Sequence, residues 1–485
     1  MIANRQEHPA RRLSSSRLWL GIVFLVASLE RLLTIFLYQP VSFSDTPSYR
    51  RLAGTVLQGF ANYDGTRTPG YPVFLALVGS DQTVWYVQLI LGLLTTLLLF
   101  YIGWKLTGKP WFGGLIALAH TLNLGQLFFE SDLLTESLTT FLVVVSIAGV
   151  LYWFLNPGKR SIWLVFSLGL VSTLALFVRP LFIYLPFLTL LVLWLAPRPK
   201  MQIAEPNNQA AVVEKRSPLH LGHFPWFSSL IFLVPVVLLT GGWVSFIHAR
   251  FGDWSLTTMT GYHLVQHTGN FFEYVPDEYA TLRDIYIKYR DAHIAEYGTQ
   301  TNTIWEAIPE MSEVTGFSFY SLSRVLARIS IQLILRHPLL YLQSVATGWW
   351  MFWRTAVYWS ADALRFSWMA GTIQTAILAE RAVLFLTNLV FIIASLAFSI
   401  SESLAAIRYD PSRRILHFKD QVGRTFAWFL LATIWIASVL QTLLDHGDNP
   451  RFLVPLQSLV VLWVAVLIYQ IALNRRSLAK YSSKS

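Results

Sequence analysis

Ten separate stretches of mostly apolar residues constrain this chain more than any motif does. They lie at 17–38, 83–104, 111–129, 133–155, 161–179, 181–197, 226–248, 375–400, 425–444 and 452–473. A helix needs about 20 such residues to cross the hydrocarbon core of a bilayer. Only helices and closed barrels satisfy their backbone there. The expected fold class is therefore all-α and polytopic: a helical bundle of ten spans, of which 181–197 is the shortest. No period of 20–50 residues repeats along the chain.

Composition supports this class. Charged residues make up 13% of the chain, against about 25% in soluble domains. There is no cysteine, which excludes disulfides and Cys-based zinc sites. The 19 Trp and 20 Tyr suit membrane interfaces, where amphipathic rings collect. The net charge of +10 reads as basic loops that set topology, not as a nucleic-acid surface. Arg11, Arg12 and Arg17 precede the first apolar run, and no small-x-small cleavage signal follows. An uncleaved first span is expected.

Charge sorting assigns the sides. With the N-terminus inside, 105–110, 156–160, 198–225, 401–424 and 474–485 are cytoplasmic and carry most of the loop lysines and arginines. The opposite segments, 39–82, 130–132, 249–374 and 445–451, hold most of the acids. The expected organisation is an N-terminal module at 1–197 with a first outer loop at 39–82. A cytoplasmic linker follows at 198–225, then a span at 226–248. An extracytoplasmic region occupies 249–374, the last spans lie within 375–473, and 474–485 is a cytoplasmic tail. Both termini are cytoplasmic, in a plasma (inner) membrane. The apolar segment 331–357 would invert the basic 401–424 loop if it crossed alone. Residues 318–357 are therefore read as interfacial helices, with Arg324, Arg328 and Arg336 at headgroup level. A re-entrant pair is the alternative. Within 249–330, Tyr279, Leu282, Tyr286 and Tyr289 form an i, i+3, i+4 stripe of an amphipathic helix.

This topology gathers polar groups at one face: Asp45, Arg67, Glu130, Asp132, Glu136, Arg179, His446, Asp448 and Arg451. Charges at membrane depth are costly and are usually paired or functional. Asp45 follows Pro40 and precedes a short helix with Pro47 in its first turn, so it is either an N-cap or a general base. Asp132 and Glu136 are spaced to share one helix face, and Glu136 is placed about one turn inside its helix. Asp132 could cap that helix, and Glu136 could pair with Arg67 or Arg179. Arginines at helix ends either snorkel to headgroups or grip phosphate through paired hydrogen bonds. His263 and His267 are i, i+4 and could ligate a metal, but no further ligand accompanies them. Glu30-Arg31 within the first span reads as a local or interhelical pair. No Walker loop, GxGxxG or HExxH is present, which argues against an ATP-driven pump, a Rossmann-type nucleotide-sugar enzyme and a zincin.

The acid after the first span, followed by Arg67-Thr-Pro-Gly-Tyr-Pro-Val-Phe-Leu-Ala-Leu77, resembles the GT-C superfamily of integral-membrane glycosyltransferases. The branch it most resembles is the family 39, protein-mannosyltransferase-like bacterial enzymes. Leu133-Leu-Thr-Glu136-Ser-Leu138, Arg179-Pro-Leu-Phe-Ile-Tyr-Leu-Pro186, Arg336-His-Pro-Leu-Leu-Tyr-Leu342 and Asn449-Pro-Arg451-Phe-Leu-Val-Pro455 extend the likeness in order over most of the chain. The resemblance implies a GT-C-like bundle, a polyprenyl-phosphate sugar donor and an extracytoplasmic active site. Its first-loop acid corresponds to Asp45. Its second-loop acid corresponds to Glu136, Asp132 or Glu130.

On this reading Asp45 is the base of an inverting transfer to a hydroxyl of a glycan, glycolipid or protein acceptor. Arg451, Arg179 and Arg67 hold the donor phosphate, while Tyr71, His446 and Asp448 contact substrate. Ser44 and Thr46 flank Asp45 where some relatives carry paired acids, so no metal is required by the sequence. A lipid or glycan flippase and a non-catalytic envelope-assembly subunit are the rival classes. Transporters place polar groups at the midplane of repeated halves, whereas these lie at helix ends.

Overall fold

The computed structural model describes residues 9–195, 226–407 and 421–482. The expected linker at 198–225 and most of the basic 401–424 loop lie outside the described residues. Those residues form helices, with one isolated backbone bridge and no strand among them.

The N-terminal part runs from α1 (Pro9–Leu37) through two short helices, α2 (Thr46–Ala53) and α3 (Gly70–Val78). It continues with α4 (Asp81–Thr107), α5 (Pro110–Thr121), α6 (Leu124–Ser131), α7 (Glu136–Leu155), α8 (Ile162–Val178) and α9 (Leu185–Trp194). After α10 (Trp226–Phe251) come five helices: α11 (Thr260–Thr268), α12 (Ala280–Tyr297), α13 (Thr303–Thr315), α14 (Phe319–Arg336) and α15 (Pro338–Phe352). The chain closes with α16 (Ala370–Ile407), α17 (Gln421–Leu444), α18 (Asn449–Phe452) and α19 (Val454–Ser482).

The sequence predicts ten spans. Among the described residues seven helices are long and apolar enough to cross a bilayer, or up to nine if two bent pairs each count as one span. The difference has local causes. The 111–129 stretch breaks by 55° between α5 and α6, where Asn123 caps α6 through Gln126 N. The 161–179 and 181–197 stretches form shorter helices, Ile162–Val178 and Pro180–Trp194. Proline after Arg179 stops the first of them.

Helix α7 is the hub, with 72% of its apolar window buried against neighbours. Its residues Val143, Val144, Ile147 and Leu151 are fully buried in the main core. In contrast α1 is only 22% buried and exposes Leu25, Leu29, Leu32 and Phe36. Such a surface needs apolar surroundings, as a bilayer supplies. Glycines let the helices approach closely. A Cβ on Gly113 would strike the Phe100 carbonyl of α4, and one on Gly169 the Phe232 carbonyl of α10. Asn388 of α16 and Gln457 of α19 exchange amide hydrogen bonds inside the bundle, at 2.8 and 3.3 Å.

Helices α11–α15 form a separate cap with its own core, built on Tyr262, Phe272, Tyr286, Ile304, Leu322 and Leu326. Three residues of the expected stripe fall on α12, and Tyr279 lies in the short 3-10 turn before it: Leu282 and Tyr286 are buried, with Tyr279 and Tyr289 partly so. Helix α14 buries Leu322, Leu326, Ile329 and Leu333 against this cap and leaves Arg324, Arg328 and Arg336 exposed. It turns into α15 through 106° at His337-Pro338. The far end of α15 then enters the main core, where Trp353 packs against Phe391 and Trp435.

Candidate active site

The site is assembled where α2, α3, α7, α8 and α18 meet below the cap. Beyond Pro40 the chain is stapled to the α6–α7 turn. Val41 N donates to Ser131 O at 3.0 Å, and Leu133 N donates to Val41 O at 2.9 Å. Thr46 Oγ1 adds a bond to Leu133 O at 3.1 Å. Asp45 therefore stands at a defined point, in the N-cap position of α2. Its carboxylate makes no capping bond. Instead Oδ1 accepts from Arg67 Nη2 at 2.6 Å and Oδ2 from Arg451 Nη1 at 2.8 Å.

Arg451 is the centre of the cluster. Besides Asp45 it engages both oxygens of Glu136, through Nε to Oε1 and through Nη2 to Oε2 at 3.3 Å. Arg179 adds a third bond to Glu136 Oε1 at 3.0 Å, with its guanidinium 4.0 Å above the Phe452 ring. Arg67 lies 4.8 Å above the Tyr49 ring, and Tyr63 donates to its carbonyl at 2.5 Å. Asp448 is 4.0 Å from Arg451 and accepts from the Tyr358 hydroxyl.

Burial alone would raise the pKa of Asp45, but Arg67 and Arg451 outweigh it and hold the carboxyl far below the usual carboxylate range. Asp448 moves the other way. Burial raises it above the ordinary value despite the Tyr358 bond and nearby Arg451.

These groups border an open cavity of about 360 Å³. Asp45, Arg67, Arg179, Arg451, His263 and Asp445 are among its polar lining residues. Val178, Leu181, Ile183, Leu440 and Leu444 are among its apolar lining residues, with Ile183 and Leu444 exposed on the bundle surface. Three guanidiniums and the carboxylates of Asp45 and Asp445 thus line a space large enough for a small ligand.

Several expected site residues are placed elsewhere. Glu136 is the first residue of α7, not one turn inside it, because Asp132-Leu-Leu-Thr135 is held as a turn by the Val41 bridge. Asp132 accordingly neither caps α7 nor shares its face. Its side chain is fully buried, and neither carboxylate oxygen has a partner among the described residues. Burial pushes its carboxyl well above the usual range, and Glu136 adds to the rise. Glu130 points into a different buried network. It accepts from Arg31 Nη2 at 2.6 Å, and Arg31 Nη1 bonds Thr121 at 2.8 Å. Thr121 in turn donates to Glu30 at 2.7 Å.

Tyr71 is fully buried. It donates to Gln88 at 2.9 Å and supports the edge of Tyr49, so it backs the site without lining it. His446 turns away toward Ser344, 2.8 Å off. His263 and His267 diverge as well, to Asp445 and Ser344, both at 3.0 Å. Among the described residues no three His, Asp or Glu side chains come together as a metal site requires.

Sequence reasoning missed Tyr49, Tyr358 and the His263–Asp445 pair. Tyr49 carries a local signal, since it follows Asp45 by one helical turn. Tyr358 has none, being 90 residues from Asp448. The chain matches no family model, no curated protein and no solved structure.

Proposed function

We propose that this protein is a membrane glycosyltransferase that moves a sugar from a polyprenyl-phosphate donor to an acceptor hydroxyl, in the manner of the GT-C enzymes its motifs resemble. The observation that carries the reading is the mixed lining of one cavity, where Asp45 and three arginines meet a set of apolar side chains. That combination suits a lipid-linked phosphate, with the head on the arginines and the first isoprene units against Leu181, Ile183 and Leu444. Arginine grips phosphate with paired, charge-assisted bonds at any accessible pH.

Asp45 is the counter-ion of Arg67 and Arg451, which makes it a weak base. A bound donor phosphate competes for those same guanidiniums. As they turn to it, Asp45 loses the contacts that depress its pKa and becomes a stronger base within a partly apolar cavity. It then takes the proton of the acceptor hydroxyl as that oxygen attacks the anomeric carbon. The bond from that carbon to the phosphate oxygen breaks, and the charge left on the phosphate is stabilised by Arg451, Arg179 and Arg67. Glu136 does not line the cavity. It is a positioning residue that fixes Arg179 and Arg451 from behind. Charge sorting puts this chemistry at the extracytoplasmic face.

The test is release of free polyprenyl phosphate by purified protein supplied with polyprenyl-phosphate sugars. Asp45→Asn is expected to slow release by about 100-fold or more, the usual contribution of a general base. A wild-type rate in that variant would remove the base assignment. A flippase would move the donor lipid without releasing polyprenyl phosphate.

A further inference from the structure

A second cavity, of about 410 Å³, lies in the cap. Its walls are Asn270 and Phe271 after α11, the α12–α13 turn at Gly298, Thr299, Gln300 and Thr301, and the α15 face bearing Leu340, Gln343, Ser344 and Thr347, with His446 closing one side. No Asp, Glu, Lys or Arg lines it. The first cavity, with its three arginines, is its chemical opposite.

The lining restricts the ligand class. A phosphate or carboxylate would be desolvated here with no cation to meet it. A lipid tail would leave amides and hydroxyls unsatisfied. Amides, hydroxyls and an imidazole each offer both donors and acceptors, which matches sugar hydroxyls that also do both. Leu340, Ile294 and Phe271 supply apolar surface for the C–H faces of a sugar ring.

Part of the polar lining is held in place. Ser344 lies between His267, at 3.0 Å, and His446, at 2.8 Å, and Asn270 approaches the same hydroxyl at 3.5 Å. Gln300 is fixed by Tyr286 and by the Gln266 carbonyl. The Gln343 side chain stays exposed at the rim. Burial lowers the pKa of both histidines, His267 to about 4, so the cleft stays uncharged at neutral pH.

The two cavities share a wall. Along α11, His263 lines the first cavity, and His267, one turn on, braces Ser344 of the second. In the turn after α17, Asp445 lines the first and His446 the second. We propose that the cap cleft is a carbohydrate-binding site for neutral sugar residues of a glycan. Its further role, seating the acceptor beside the donor cavity, rests on the transfer reading, whereas carbohydrate binding does not.

Binding is measured by saturation-transfer NMR on the purified full chain, with cellobiose, maltose, mannobiose and N-acetylchitobiose as probes. At least one disaccharide should receive saturation from the wild type. That signal should fall at least fivefold in Thr347→Trp, which fills the cleft from α15, and should weaken in Gln343→Ala. Both variants must keep the wild-type gel-filtration profile and melting temperature. If Thr347→Trp alone fails to fold, Gln343→Ala decides. Absence of saturation for all four disaccharides, or an unchanged signal in the folded variants, overturns the proposal. The readout needs no donor, so loss of sugar binding and loss of phosphate release are separate results.

Discussion

Arg451 carries the heaviest structural duty of any side chain in the cluster, because Glu136 is fully buried and takes two of its hydrogen bonds. Removing one partner of a buried ion pair typically costs about 3–5 kcal/mol, since the other charge is left uncompensated. Arg451→Met is therefore expected to lower the melting temperature of the detergent-purified protein markedly. Glu136→Gln added to it should recover part of the loss, because the stranded charge is then gone. An unchanged melting temperature in the single variant would mean that Arg179 alone neutralises Glu136. At this scale the sequence was partly legible. Asp45, Arg67, Arg179 and Arg451 converge as their positions at helix ends suggest. The partners of each were not legible, because pairing depends on contacts such as Arg451 to Asp45, separated by 406 positions. Glu130 and Glu136 look alike in sequence, yet they belong to different networks. The chain is turned between them by long-range contacts: the Val41 bridge, Thr46 to the Leu133 carbonyl, and Gln88 to the Glu130 and Asp132 carbonyls.

Among the elements, α3 and α8 set the spacing of the arginines. Gly70 opens α3 directly against the α8 terminus, and a Cβ there would collide with the backbone of Phe177 and Val178. Arg67 lies just before that contact and Arg179 just after it. Gly70→Ala must push the two helices apart, at an overpacking cost of about 1–3 kcal/mol, and shift the guanidiniums relative to each other. Donor turnover should fall several-fold more than in a Gly241→Ala control in α10, where nothing lies within 4 Å of the added carbon and the backbone is helical. Equal turnover in the two variants would detach the arginine spacing from this contact. Hydropathy identified the long apolar helices, since α1, α4, α7, α10, α16, α17 and α19 follow the apolar runs. It could not foresee the 106° bend at His337-Pro338. The apolar face of α14 could equally have faced lipid; tertiary packing gave it to the cap instead.

For the molecule as a whole, the strongest unmeasured assignment is which face holds the cavity. The chain contains no cysteine, so single-cysteine variants report without background. Glu278→Cys, on the cap, should react with a membrane-impermeant maleimide on intact cells or spheroplasts. Lys159→Cys, in the turn after α7, should react only after permeabilisation. Both positions are exposed. The reverse pattern would place the cavity at the cytoplasmic face and exclude an extracytoplasmic transfer.

The thinly covered first helix also has a mechanical meaning. Although α1 is mostly exposed, the segment after it is fastened at Val41 to the α6–α7 turn, so the position of Asp45 is referenced to the bundle interior. Helices adjust to bilayer thickness by tilting. Here α1 is itself tied to that interior, through Arg31 to Leu89, Thr121 and Glu130 and through the Leu37 carbonyl to Arg365 N, so a tilt of α1 is shared with its neighbours and not confined to one helix.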